Sequence, residues 1–129
     1  MVQRKLLVVD DELNIRMLFE KRFTKSGYEV SLAKDAEEAL AILKWDNIPV
    51  MFLDINMPGM NGLELCQAIR KEKPIAIIYA MTGYSSLFEL SDCLEAGFDD
   101  YFLKPVDLDL LDKAAQQAFE KLDRWKNPQ

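Results

Sequence analysis

Histidine is absent from this sequence, and cysteine is scarce. The chain of 129 residues has no histidine and only two cysteines, Cys66 and Cys93. Without a C-x-x-C pair or a histidine cluster, a structural zinc site of the usual kind is excluded. Two cysteines can form at most one disulfide, and we expect both to be reduced, buried side chains without a redox role.

Long hydrophobic runs are also missing. The longest, residues 75–81, has seven residues, whereas a membrane-spanning helix needs about 20. The basic residues at the start are followed by a short apolar run that Asp10 interrupts, before a secretory signal could form. The sequence therefore predicts no membrane segment and a cytoplasmic protein.

Positive charge is in deficit. The chain has 16 Lys and Arg against 22 Asp and Glu, a formal net charge of −6 at pH 7. Such a surface repels a polyphosphate backbone, so direct nucleic-acid binding by this domain is not expected. Because 50% of the residues are hydrophobic, the composition is that of a globular domain and excludes intrinsic disorder as the main state.

Apolar runs and amphipathic segments alternate along the whole chain, in five successive pairs. This alternation is typical of a parallel sheet with crossover helices. It predicts an α/β fold with a doubly wound five-stranded parallel sheet of order 2-1-3-4-5, which is flavodoxin-like. We expect one domain over residues 1–124 and a tail over residues 125–129, because the last helix is predicted to end near Arg124.

The periodicity also predicts which side chains face the core. The fourth strand is expected over Ile75–Met81, and the last helix to begin at Asp107. The apolar face of the first helix is predicted to consist of Leu13, Met17, Leu18 and Phe23. The apolar face of the last helix is predicted to consist of Leu110, Leu111, Ala114, Ala118 and Leu122.

Polar side chains stand where the predicted strands end. Asp10 and Asp11 follow the first strand, Asp54 ends the third, Thr82 follows the fourth and Lys104 follows the fifth. Each one alone is an ordinary turn or capping residue. Because the carboxyl ends of parallel strands meet at one edge of a doubly wound sheet, these residues should converge, and turn chemistry does not explain the whole set.

Three neighbouring carboxylates would repel one another unless a cation shared the site. Carboxylates, a backbone carbonyl and water are the ligands that Mg²⁺ prefers, and a partly hydrated Mg²⁺ leaves room for phosphate. Asp54 is the natural nucleophile, since a carboxylate can form an aspartyl phosphate without losing a proton. Lys104 could then neutralise the phosphoryl oxygens, and Thr82 could donate a hydrogen bond to one of them.

Three segments resemble the receiver domain of bacterial two-component response regulators, over about Lys5 to Leu122. They are Leu6-Leu7-Val8-Val9-Asp10-Asp11-Glu12, Asp54-Ile55-Asn56-Met57-Pro58-Gly59-Met60-Asn61-Gly62 and Asp99-Asp100-Tyr101-Phe102-Leu103-Lys104-Pro105. The first is similar to the acidic pair of that family, the second to its phosphoacceptor loop, and the third to its Lys-Pro segment. All three occur in the family order.

The resemblance implies that Asp54 accepts a phosphoryl group from a histidine kinase or a phosphotransfer protein. It implies that Mg²⁺ is held by Asp10, Asp11, Asp54 and the backbone carbonyl of Asn56. By the same resemblance Lys104 contacts the phosphate, Thr82 and Tyr101 form the conformational switch, and the bond before Pro105 is cis. Such a domain is not an enzyme, although it contributes to its own phosphorylation and dephosphorylation.

The output surface implied by the resemblance is made by the fourth helix, the fifth strand and the fifth helix, and a downstream target or a second copy would bind there. Two residues depart from the family pattern. Phe98 stands where a small residue is usual, and Tyr84 is bulkier than many residues at its position. We expect Tyr84 to shield the phosphate from water and to slow its hydrolysis.

Three other hypotheses fit the sequence less well. A phosphatase of the haloacid-dehalogenase type would need a second carboxylate as acid and base where this chain has Asn56, and an amide cannot transfer that proton. A flavodoxin-like cofactor binder would need a phosphate-binding loop where Asp10 and Asp11 stand. A scaffold derived from a receiver domain would be expected to lack Asp54 or Lys104, and both are present.

Overall fold

The structure is a computed structural model that describes residues 3–83 and 90–127. Strands and helices alternate in chain order, as the periodicity predicts. The strands are β1 (Lys5–Val9), β2 (Glu29–Ala33), β3 (Val50–Asp54), β4 (Ile77–Thr82) and β5 (Asp100–Leu103). The helices are α1 (Leu13–Lys25), α2 (Ala36–Trp45), α3 (Gly62–Glu72), α4 (Leu90–Ala96) and α5 (Leu108–Lys126).

The five strands form one sheet of order β2-β1-β3-β4-β5, and every neighbouring pair is parallel. The predicted fold class is therefore confirmed. β3 is buried along its whole length, as expected of a central strand with a helix layer on each face. Within the described ranges, no helix has both the length and the hydropathy required to cross a lipid bilayer.

Two apolar layers cover the two faces of the sheet. Buried side chains of α2, α3 and α4 pack on one face, together with the free and buried Cys66 and Cys93. The opposite face packs against α1 and α5. Because both faces are covered, the polar side chains that follow the strands are left at the carboxyl edge of the sheet.

The prediction for the buried face of α1 was largely wrong. Leu13, Met17 and Leu18 are all more than half exposed, whereas Phe19 and Phe23 are fully buried. The two phenylalanines are four residues apart and pack on the ring of Phe52 in β3, with centroid distances of 5.9 Å and 5.6 Å. Aromatic rings bury more apolar surface than aliphatic side chains do. The contact with Phe52 therefore decides which side of α1 faces the sheet.

The ends of two other elements differ from the prediction. β4 begins at Ile77, because Val50 of β3 pairs with Ile77, and Ile75 lies before the paired region with 68% of its surface exposed. α5 continues two residues past Arg124, to Lys126. Leu110 lies outside the buried stripe of α5 and is 51% exposed, whereas its neighbour Leu111 is fully buried.

Candidate functional site

Three carboxylates lie together at the carboxyl edge of the sheet. Asp10 follows β1 and is fully buried, Asp54 is the last residue of β3 and is 2% exposed, and Asp11 is exposed. One carboxylate oxygen from each lies within 4.8 Å of the others. Such a cluster of hard oxygen donors, partly open to solvent, has the composition of a site for a hard divalent cation.

Lys104 joins the two buried carboxylates. Its Nζ atom lies 2.9 Å from Oδ2 of Asp10 and 3.4 Å from Oδ2 of Asp54. Both pairs have little access to water, so their attraction is screened less than that of a surface ion pair. With Asp11 included, the ammonium group of Lys104 offsets the charge of only one of the three carboxylates.

Burial and the neighbouring charges shift the pKa values of Asp54 and Lys104. Burial, reinforced by the negative charge of Asp10, raises the pKa of Asp54 from 3.8 to about 6, although Lys104 and the backbone N–H of Asn56 oppose the rise. Burial lowers the pKa of Lys104, but its hydrogen bond to Asp10 and the charges of Asp54 and Asp10 raise it above 10.5 overall. Near neutral pH the carboxyl group of Asp54 is therefore mostly ionised, but its pKa lies much closer to that pH than the pKa of an ordinary aspartate does.

The backbone around Asp10 is held by groups that the sequence analysis did not identify. Oδ1 of Asp10 accepts the backbone N–H of Glu12 at 2.9 Å, and Nη1 of Arg16 donates to the backbone oxygen of Asp10 at 2.8 Å. The only signal in the sequence is that Arg16 lies near the start of α1, where the helix dipole disfavours a positive charge.

The loop after β3 packs closely against Asp54. The backbone N–H of Asn56, an exposed residue, donates to Oδ1 of Asp54 at 3.1 Å. Gly62, at the start of α3, donates its backbone N–H to the carbonyl of Ile55 at 3.0 Å. A Cβ atom on Gly62 would lie 2.5 Å from the carbonyl oxygen of Asp54, so only glycine fits there. The start of α3 thus touches the strand end that carries Asp54.

Thr82 and Tyr101 lie on the same side of the sheet. Thr82 is the last residue of β4 and pairs with Leu103, while Tyr101 pairs with Ala80, so the two residues are diagonal neighbours two positions apart. The buried hydroxyl of Thr82 donates to the carbonyl of Gly83 over 3.4 Å, a long distance for such a bond. Tyr101 is half-buried against the α2–α4 side of the core.

The remaining predicted features are placed as follows. The Lys104–Pro105 peptide bond is cis. Phe98 is buried between α4 and β5, within the core. Tyr84 lies outside the described residues, and the described part of the fourth helix starts at Leu90.

Comparison with known proteins gives one consistent result. Residues 6–116 match the family model of the response regulator receiver domain. Among relatives, a probable transcriptional regulator of Porphyridium aerugineum, ycf27, is 37% identical over 124 residues, which cover 96% of this chain and 51% of that protein. The transcriptional regulatory protein YrkP of Bacillus subtilis is 43% identical over 101 residues, covering 78% of this chain and 43% of that protein.

Solved structures agree with the sequence relatives. The chemotaxis protein CheY4 of Vibrio cholerae superposes with a TM-score of 0.84 at 30% identity, covering 91% of this chain and 99% of that one. A CheY-like receiver domain protein of Methanospirillum hungatei superposes with a TM-score of 0.85 at 33% identity, covering 95% and 99%. The chain thus spans nearly the whole of these structures but about half the length of the transcriptional regulators.

Proposed function

This chain belongs to the response regulator receiver domain family of two-component signalling, and from that premise we propose that it is a switch controlled by phosphorylation of Asp54. The proposal rests above all on the surroundings of Asp54. Its carboxylate is buried, lies beside Asp10 and Asp11, and is within 3.4 Å of the ammonium of Lys104. A nucleophile, acidic metal ligands and a cation for the incoming phosphate are therefore adjacent.

The three carboxylates fit Mg²⁺, because they supply hard oxygen donors whose charge is only partly balanced by Lys104. Asp10, Asp11 and Asp54 would hold the ion, and the backbone carbonyl of Asn56 is the fourth ligand proposed by family resemblance. When bound, Mg²⁺ offsets the negative charge that would otherwise repel a phosphoryl group. The exposure of Asp11 leaves the site accessible from solvent.

In the proposed reaction, a carboxylate oxygen of Asp54 attacks the phosphorus of a phosphohistidine on a histidine kinase or phosphotransfer protein. The new O–P bond forms while the N–P bond breaks, and the imidazole nitrogen leaves with the electron pair of that bond. Lys104 would transfer its contact from the carboxylate of Asp54 to a phosphoryl oxygen, as a positive point charge. The domain takes up the phosphoryl group and later loses it to water, and turns over no separate substrate.

The output of the switch is proposed to pass through Thr82 and Tyr101. The weakly held hydroxyl of Thr82 can turn toward a phosphoryl oxygen, and Tyr101, its neighbour on the same face, can then move inward. The surface formed by α4, β5 and α5 would repack. Among the described residues of that surface, four leucines are exposed, which suits a target protein or a second copy. They are Leu90, Leu94, Leu103 and Leu110.

The decisive experiment is phosphorylation by a small-molecule phosphodonor with and without Mg²⁺, followed by mass spectrometry. We expect one phosphoryl group on Asp54 in the presence of Mg²⁺ and none after chelation. Asp54→Asn should abolish labelling, whereas the exposed control Asp100→Asn should be labelled like the parent. Labelling without metal, or stable labelling of Asp54→Asn at another residue, would contradict the proposal.

A further inference from the structure

Arg16 holds the backbone of the acidic pair from outside the site. It is the fourth residue of α1, and its Nη1 atom donates to the backbone oxygen of Asp10 at 2.8 Å. Asp10 is fully buried, and a buried carbonyl needs a donor because it has lost its hydrogen bonds to water. The guanidinium supplies that donor as a charge-assisted hydrogen bond, which is stronger than a neutral one.

This contact fixes more than one atom. The oxygen of Asp10 belongs to the planar peptide that links Asp10 to Asp11, so holding the oxygen also orients the nitrogen and Cα of Asp11. The side chain of Asp10 is already held by the N–H of Glu12 and by Lys104, at 2.9 Å each. The exposed Asp11 has its carboxylate within 4.8 Å of those of Asp10 and Asp54. The placement of its backbone therefore decides whether the three carboxylates converge.

The location of Arg16 is unfavourable for the helix itself. α1 has no acidic residue in its first turn, and a cation near the N-terminus of a helix opposes the helix dipole. A cation near a Mg²⁺ site also repels the ion. Neither helix stability nor the charge of the site accounts for an arginine at this position, whereas the hydrogen bond to Asp10 does.

We propose that Arg16 is a positioning residue for the metal site, which preorganises Asp10 and Asp11 by fixing the peptide between them. The inference rests on the proposed function, because it assumes that these carboxylates bind a divalent cation. For the Mg²⁺ affinity of a variant without Arg16, this role predicts a change opposite to the one expected from charge alone. Loss of the positive charge alone would tighten Mg²⁺ binding, whereas loss of the positioning contact weakens it.

The test is calorimetric titration of the parent and of Arg16→Met with Mg²⁺ at low ionic strength. Arg16→Met keeps much of the aliphatic stem and removes both the charge and the donor. We expect its Mg²⁺ affinity to fall by about tenfold, the low end of the range for residues that orient metal ligands. Arg16→Lys, which keeps a charge and a donor, should recover most of the affinity. Arg124→Met, at an exposed position of α5, is the matched control and should bind like the parent.

A second measurement needs no metal. Amide hydrogen exchange of Glu12, whose N–H donates to Asp10, should be faster in metal-free Arg16→Met than in the parent and unchanged in Arg124→Met. Should Arg16→Met melt too low for titration, Arg16→Gln provides the same two comparisons. The role of Arg16 would be overturned if Arg16→Met, or Arg16→Gln in its place, bound Mg²⁺ as tightly as the parent or more tightly. Unchanged amide exchange at Glu12 in that variant would also overturn it. A parent that binds no Mg²⁺ would instead contradict the proposed function, while the exchange measurement would still report on Arg16.

Discussion

Gly62 packs directly against the backbone of Asp54. A Cβ atom at residue 62 would lie 2.5 Å from the carbonyl oxygen of Asp54, closer than a carbon atom can approach. The positions of a Cβ atom and of a carbonyl oxygen are both fixed by the backbone, so no side-chain rotation can relieve the contact. The start of α3 and the end of β3 can therefore reach their observed distance only with glycine at this position.

We predict that Gly62→Ala lowers the free energy of unfolding by about 1–3 kcal/mol, the usual cost of overpacking a rigid site. It should also reduce labelling of Asp54, because the strand end must shift. Gly83→Ala is the matched control, since its Cβ would meet Asn56 at an ordinary 3.7 Å, and its stability should change by less than about 0.5 kcal/mol. Urea denaturation measures both, and equal stability of the two variants would contradict the packing argument.

The sequence predicts the sheet and the strand-end residues well, because both depend on local patterns. Apolar runs locate the strands, and the polar residue that ends each run, such as Asp54, marks the edge of the sheet. The buried face of α1 was not predictable in this way. Leu18 and Phe19 are both compatible with helical periodicity, and the contact with Phe52 selects Phe19.

Two features of the site depend on distances between segments and escape sequence analysis for that reason. Gly62 is one of three glycine or proline residues of a loop, and nothing in the sequence shows that it touches Asp54. Arg16 stands six residues after Asp10, with no motif to connect the two. Both become visible only when the backbone of the neighbouring segment is in place.

Replacing Asp54 should change stability in a way that depends on pH. Its pKa is raised from 3.8 to about 6, so the ionised form costs the folded state up to about 3 kcal/mol at pH 7. Asp54→Asn should therefore be about 1–3 kcal/mol more stable than the parent at pH 7. The difference should shrink as the pH falls from 6 to 4, because the parent carboxyl becomes protonated.

Thermal unfolding of the parent and of Asp54→Asn between pH 4 and pH 8 measures this effect. Saturating Mg²⁺ should remove most of the advantage of the variant at pH 7, since a bound ion stabilises the ionised parent. An advantage for Asp54→Asn that grew as the pH fell would show that the pKa of Asp54 is lowered rather than raised in the folded protein.

Lys104→Met should separate metal binding from phosphorylation. Without the ammonium, the pKa of Asp54 should rise further, and the two buried carboxylates lose their partner at a cost of about 3 kcal/mol. Mg²⁺ should bind more tightly, because a competing cation is gone, yet labelling of Asp54 should decline. Lys113→Met, at an exposed position of α5, is the charge-matched control. Weaker Mg²⁺ binding by Lys104→Met would argue against competition between the ammonium and the metal.

The exposed leucines of the α4–β5–α5 surface provide a test of output that leaves the phosphoacceptor untouched. Leu94→Ser removes a side chain that is 51% exposed on α4 and should weaken binding of a target or a second copy by about tenfold, the effect of losing 1–2 kcal/mol at an interface. Labelling of Asp54 should not change. Leu13→Ser, at a position on α1 that is 59% exposed, is the control. If both variants bind the partner like the parent, the output surface lies elsewhere.

Thr82→Ala should uncouple phosphorylation from output. A shift of the switch from about 1:99 to 99:1 needs roughly 5.5 kcal/mol, and a hydrogen bond to a charged group supplies about 1.5–3 kcal/mol of it. Removing the hydroxyl should therefore reduce the phosphorylation-dependent gain in partner binding by about 10- to 100-fold, while Lys104 and Mg²⁺ still permit labelling of Asp54. Thr82→Ser keeps the hydroxyl and should behave nearly like the parent. Partner affinity, measured with and without phosphodonor, distinguishes these variants. A full response in Thr82→Ala, or a Tyr101 side chain that keeps one orientation in both states, would show that the signal takes another route.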